Sequence, residues 1–187
     1  MDKKINFSSR YKLYNACDKV NYRACMECVN FRDGYAYASD STILVRVPLF
    51  SLLPDLEEQR DFLNGFSIHW KVFKTICGYE KIRIERNDGA GTCHIVATDH
   101  GHEISFRLLS SVEVTPPDYE KVFERAKARP EDPIHKIGIK PGHLARLAAA
   151  INLEKATLNF RGMNGEVCIE NALDGCAAII MPLYISE

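Results

Sequence analysis

The sequence predicts an α+β fold built from repeated β-α-β-β-β units, with helices on one face of shared antiparallel sheets. Three observations predict it. Short strand-like runs are separated by turn signals such as Asp33-Gly34, Asp40-Ser41 and His100-Gly101. One amphipathic helical stretch precedes each group of strands. The pattern occurs three times, in copies of roughly 50–60 residues that are too small to hold a core alone and must stack.

Copy one opens at Ile5-Asn6-Phe7, and its helix is expected over residues 8–19 with Ser8 or Ser9 as cap. Strands follow over residues 24–31, 35–39 and 42–47. Residues 55–61 form an acidic connection. Copy two opens at Gly65–Ile68, and its helix covers 69–77 and stops at Gly78. Its strands are expected over 81–86, 93–98 and 103–108. The stretch 114–133, with Pro116, Pro117, Pro130 and Pro133 and dense charge, reads as a connector holding one helical turn or two. Copy three opens over 135–140, and Pro141-Gly142 introduces a helix over 143–151. Strands follow over 156–160, 167–170 and 177–184. The expected organisation is one complete domain over 1–112 (units of about 1–60 and 61–112), a connector over 113–133 and a half domain over 134–187.

Composition narrows the function classes. Lys plus Arg number 24 against 25 Asp plus Glu, a net charge of -1 over 187 residues, which argues against a uniformly basic coat. The 46% hydrophobic content excludes wholesale disorder. No apolar run approaches the roughly 18 residues of a membrane span. The opening residues lack an apolar stretch, and seven irregularly spaced cysteines read as reduced thiols, so a cytoplasmic protein is expected. Cys25 and Cys28 form a lone C-x-x-C in a strand-like run, where residues three apart face opposite sides, which favours a structural role over zinc or redox chemistry.

Helical wheels sort the charge. Leu13, Tyr14 and Cys17 oppose Lys12, Asn15 and Lys19. Val72, Phe73, Ile76 and Cys77 oppose Lys71, Lys74 and Thr75. Leu144, Leu147, Ala148 and Ile151 oppose Ala145, Arg146 and Ala149. The outward faces thus carry Lys12, Lys19, Lys71, Lys74 and Arg146 with no carboxylate among them, while the acids lie elsewhere. A solvated lysine face explains any one helix; on three equivalent helices the cations would form a stripe suited to phosphates. No aromatic residue is seen to interleave with them, which disfavours a single-strand stacking platform.

Catalytic and metal constellations are weak. Asp99-His100-Gly101-His102 places two imidazoles beside a carboxylate, but it reads as a hairpin turn. Asn87-Asp88-Gly89-Ala90-Gly91 lies between strands and does not open a helix, so it does not suit a phosphate. No catalysis, metal or cofactor is expected.

Three motifs carry a resemblance. Residues 137–151, then Gly165–Glu170 and Ala177-Ala-Ile-Ile-Met-Pro-Leu183, resemble the last half domain of the bacterial DNA polymerase III beta subunit, the sliding clamp. Thr115-Pro-Pro-Asp-Tyr-Glu-Lys-Val122 resembles that family's Phe-Pro-Asp-Tyr-x-x-Val segment. Ala36-Tyr-Ala-Ser-Asp40 with Ile43-Leu44 resembles its Ala-Thr-Asp-Gly-His-x-Leu turn, with Ser41-Thr42 in place of Gly-His.

The resemblance implies a DNA clamp (processivity) fold whose helices face duplex DNA, here through Lys12, Lys19, Lys71, Lys74 and Arg146. It implies a replication processivity factor that binds DNA without sequence specificity. With three units where the family has six, it implies self-association into a dimer or a tetramer. It also implies a pocket for short peptides of a replicative polymerase or clamp loader, with Leu44, Pro117, Val122, Ile179 and Met181 as its apolar wall. The same residue types would serve as ordinary core or edge-strand positions. A protein-interaction module that keeps the pocket without encircling DNA is the alternative.

Overall fold

The computed structural model describes residues 4–20, 23–130, 137–153, 155–161, 165–171 and 175–183. Copy one supplies β1 (Cys28–Arg32), β2 (Tyr35–Ser39) and β3 (Ile43–Pro48), followed by a short α1 (Leu49–Leu52). Copy two supplies β4 (Phe66–His69), α2 (Trp70–Ile76), β5 (Lys81–Asn87), β6 (Thr92–Asp99), β7 (His102–Arg107) and a two-residue β8 (Leu109–Ser110). Then come α3 (Tyr119–Ala128), α4 (Pro141–Ile151), β9 (Thr157–Phe160), β10 (Val167–Asn171) and β11 (Cys176–Ile180).

Local chemistry explains the tight hairpins. Asp33 and Gly34 both take positive φ, as do His100 and Gly101, which is the twisted two-residue turn that antiparallel strands favour. α2 starts at His69, whose Nδ1 accepts the Lys71 N–H at 3.3 Å. α4 has Pro141 in its first turn and ends on Asn152 in the left-handed conformation.

The strands form an eight-stranded sheet, β8-β4-β1-β2-β3-β11-β10-β9, and a three-stranded sheet, β5-β6-β7. Opening segments are exchanged: β4 of copy two pairs with β1 of copy one, and Ile5 of copy one bridges Lys81 on β5. Copy three completes the large sheet by pairing β11 antiparallel with β3, with Ala177 opposite Arg46 and Ile179 opposite Leu44.

Alternation on β3 and β11 sends side chains into two cores. Ile43, Val45, Val47, Ala178 and Ile180 enter the main core with Leu13, Phe73, Ile76 and Leu147, so the helical side covers that face. Ile82, Ile84, Ile95 and Ala97 of the small sheet close the same core. Leu44, Ala177 and Ile179 turn the other way, against Tyr119, Phe123 and Ala126 of α3.

Several expectations need correcting. The first helix, expected over 8–19, is only a 3-10 turn at Leu13–Asn15. Its segment is tethered to other elements instead: Asn6 Nδ2 donates to the Ile76 and Tyr79 carbonyls, Ser8 N–H to Leu52, and Lys12 N–H to Ala150. Backbone N–H groups committed to other elements, and an asparagine side chain bound to distant carbonyls, leave little for a helical ladder here. Residues 24–27, expected as strand, form a 3-10 turn. The connector holds a ten-residue helix. Asp118 caps it, accepting the Lys121 N–H, and its apolar residues at 119, 123 and 126 follow a helical spacing. The opening strand of copy three lies partly outside the described residues; within them Gly138 forms a bridge to Leu183.

Arg146 also departs from expectation. It does not point freely outward: its guanidinium binds Asp40 and donates to the Asn15, Ala16 and Cys17 carbonyls. Asp40 is 9% exposed. Burial pushes its carboxyl up, but the Thr42 hydroxyl, the Ile43 and Thr42 N–H groups and Arg146 outweigh this and hold it below the usual carboxylate range. The stability from Asp40 is therefore present above its unfolded value of about 3.9 and is lost as pH falls through the lower folded value.

Arg146→Ala is expected to destabilise the protein by about 1–3 kcal/mol, because it strips a charged hydrogen bond from a largely buried carboxylate and leaves three carbonyls without their donor. Urea melts would read it. The variant should also lose less stability than the parent when pH is lowered below about 4; equal acid sensitivity would show that the pair does not contribute.

Candidate functional site

The outer end of the β3–β11 junction opens into a cleft of about 260 Å³. Its floor comes from both sides of the junction, with Leu44 on β3 directly opposite Ile179 on β11. Met181 continues the line, held by its N–H to the Thr42 carbonyl at 2.8 Å. Pro117, Tyr119, Val122 and Arg125 supply the α3 wall, and Met26 adds a second thioether. Leu44, Pro117, Val122, Ile179 and Met181 thus share one cleft.

Residues 39 and 41–43 complete the rim, and Tyr119 joins the lining, all within the resembled motifs; Met26 and Arg125 also line the cleft and no sequence pattern marks them, although Arg125 shares a helical face with Val122. Met181 is 44% exposed, so a flexible apolar side chain stands at the mouth.

The wall is rigidly seated. Glu120 on α3 takes both Arg46 hydrogen bonds, at 2.8 and 2.7 Å, and the Tyr37 hydroxyl. The Arg46 guanidinium lies 4.7 Å from the Tyr35 and Phe123 ring centres. Tyr37 stacks on Tyr119 at 5.0 Å. Toward the C-terminal end of α3, Lys127 pairs with Glu170 at 2.7 Å and Arg129 with buried Glu166 at 2.9 Å. α3 is therefore fixed to copy one at its start and to copy three at its end.

The rim turn carries strain. Ser41 has φ of 72°, left-handed, at the position where the resembled motif has glycine. Asp40 Oδ1 holds the turn by accepting from Thr42 N, Thr42 Oγ1 and Ile43 N at 2.9, 2.6 and 2.8 Å.

On the opposite face, the cations are partly gathered. Lys12, Lys71 and Lys74 are exposed. Lys19 is bound to the Tyr14 carbonyl and lies 3.9 Å from the Trp70 ring centre; burial lowers its pKa. Lys71 lies 5.6 Å from the same ring, and Lys74 lies 5.7 Å from the Tyr14 ring. Aromatic rings therefore do interleave with the lysines, contrary to expectation, because Tyr14 and Trp70 sit at the contact between copies one and two. Arg146, engaged with Asp40, does not belong with them.

The cysteine pair and the histidine hairpin have different settings. Cys25 and Cys28 are both buried with Met26 and Val114, and burial pushes the Cys28 thiol up to about 12. Asp99 and His100 come near Glu80, their ligand atoms within 4.8 Å of one another, on an exposed hairpin end. His102 pairs with Asp99 across that hairpin.

No protein-family model and no curated protein matches the chain. Solved structures do. It is similar to a DNA polymerase sliding clamp from Pseudomonas aeruginosa, with 13% identity and a TM-score of 0.55 over 99% of this chain and 68% of that one. It is similar to a sliding clamp (DNA polymerase III subunit beta) from Bartonella birtlesii, at 13% and 0.60 over 93% and 64%. The DNA polymerase III beta chain from Streptococcus pneumoniae matches at 14% and 0.56 over 93% and 62%. The fold is the clamp fold, and the chain spans about two thirds of the length of these clamp chains.

Ser41→Gly is expected to stabilise the protein by about 0.5–1 kcal/mol, since relief of the left-handed strain exceeds the added unfolded-state entropy. Thermal and urea unfolding would measure it; a loss of stability would show that the Ser41 side chain contributes more than its backbone costs.

Proposed function

We propose that this chain is a non-catalytic clamp-like scaffold of DNA replication, which receives a short apolar peptide of a polymerase or clamp loader in the junction cleft. The observation that carries the reading is the cleft itself: five apolar residues from three distant parts of the chain line one rigidly walled cavity. An extended peptide would bury two or three apolar side chains against Leu44, Ile179 and Val122, with Met181 adjusting at the mouth and Arg125 near an acidic flank. Lys12, Lys71 and Lys74 would lie along duplex phosphates on the other face, giving weak, salt-dependent contact without base reading.

One observation favours a second reading. With Arg146 tied to Asp40 and exposed Lys19 bound to the Tyr14 carbonyl, fewer cations are left for phosphates than the sequence suggests. A peptide-binding module that does not encircle DNA needs only the cleft.

Fluorescence anisotropy with an apolar clamp-binding peptide tests the shared part. Met181→Ala, at an exposed and therefore tolerant position, is expected to weaken binding about tenfold or more. Lys71→Glu with Lys74→Glu should leave peptide binding unchanged and reduce the salt slope of DNA binding by about two. Unchanged peptide affinity in Met181→Ala would remove the cleft from the function. Greater retention on nicked circular than on linear DNA would support encirclement, and equal retention would leave the module reading.

A further inference from the structure

The lysine face holds a feature that phosphate contact does not need. A surface that touches only duplex phosphates requires cations and no rings, because duplex bases are stacked inside the helix. Here three lysines gather on two rings. Lys19 lies 3.9 Å and Lys71 5.6 Å from the Trp70 ring centre, and Lys74 lies 5.7 Å from that of Tyr14. Lys19 joins the two, since its ammonium also donates to the Tyr14 carbonyl. Lys71 and Lys74 are exposed and form no ion pair among the described residues.

The indole is held, and its polar atom is hidden. Trp70 and Tyr14 are half-buried and pack against the main core. Trp70 Nε1 is buried, so the ring offers solvent no donor and can meet a base only through its π surface. His69 stacks on the indole with ring centres 5.8 Å and planes 29° apart, and its Nε2 lies 3.5 Å from a Glu27 oxygen. Lys19, by contrast, is exposed on a flexible stem and can leave the ring. Burial lowers its pKa, and the Arg146 and Lys74 charges add to this, so it is a crowded cation that a phosphate would relieve.

We infer that this face takes single-stranded DNA: an unpaired base stacks on Trp70 in the place Lys19 holds, and the Lys19, Lys71 and Lys74 ammonium groups take the phosphates on either side. A nucleotide carries its base and phosphates close together, so a ring that receives the base must be flanked by cations, as Trp70 is. Duplex DNA can use the lysines but not the indole. With the indole N–H buried, stacking selects strandedness and not sequence. The inference deepens the DNA side of the proposed function and rests on it; the peptide cleft plays no part.

Trp70 is the single tryptophan of the chain, so its fluorescence reports the contact directly. The full chain would be titrated with oligothymidylate of about 16 nucleotides, and with a duplex of the same length, at the same low salt. The single strand is expected to quench Trp70 and to bind about tenfold tighter than the duplex, which should bind without quenching. Anisotropy of labelled DNA would follow the variants. Trp70→Leu should cost the single strand about tenfold and spare the duplex, and Trp70→Phe should keep most of the single-strand affinity, with circular dichroism confirming the fold. If neither variant folds, the quenching and strand preference of the unchanged protein decide. Equal affinity for both forms, single-strand binding without quenching, or a Trp70→Leu variant that binds the single strand unchanged would overturn the inference and leave phosphate contact standing. Binding of neither form would overturn both. Tighter binding of oligouridylate than of oligothymidylate would overturn the assignment to DNA.

Discussion

The junction between β3 and β11 is the constraint on which the rest of the molecule depends. Each strand sends alternate residues into both cores, so the register that sets Ile179 opposite Leu44 also sets Ile180 opposite Ile43 on the other face. A slip by one residue would bury the cleft floor in the main core and expose the core to α3. Two devices guard the register. Arg146 ties α4 to the turn before β3, and α3 spans the outer face with ion pairs at both ends. The cleft is a consequence of this junction.

The two faces are built for different work. The helical side is a layer over a large apolar core, and its exposed surface carries Lys12, Lys71 and Lys74. The outer side is a smaller core with an aromatic and cationic frame: Tyr37 on Tyr119, and Arg46 between Tyr35 and Phe123. A planar guanidinium suits that position, since it stacks on rings while its Nη1 donates to both Glu120 carboxylate oxygens. The frame keeps the cleft wall from collapsing onto its apolar floor.

Much of the fold was legible in the sequence, because β-hairpins announce themselves through period-two alternation and turn residues. β2 at 35–39 was read to the residue, and α2 and the strands of copy two to within one or two. The first helix misled because Leu13 and Cys17 have helical spacing, whereas Asn6, Ser8 and Lys12 are tied to other elements by long-range hydrogen bonds that no local pattern reveals. The connector reading understates α3 because Pro116 and Pro117 lie before its cap and Pro130 lies beyond its end, where prolines bound a helix without excluding one. The cleft residues could be named only through family motifs; periodicity makes them ordinary core. Arg146 was misassigned because a wheel position cannot distinguish a solvated cation from one aimed at a carboxylate far away in the chain.

The junction also has a cost in time. β11 lies about 130 residues beyond β3, so the loop that joins them is long and its closure is slow. As the chain leaves the ribosome, copies one and two can fold early, but β3 then waits with an open ladder and an uncovered apolar row until the last strands arrive. Asp40, Ser41 and Thr42 already shape the turn before β3 from local groups alone. During synthesis this half-finished sheet is the place where a chaperone would be needed and where misassembly with a neighbouring nascent chain would begin.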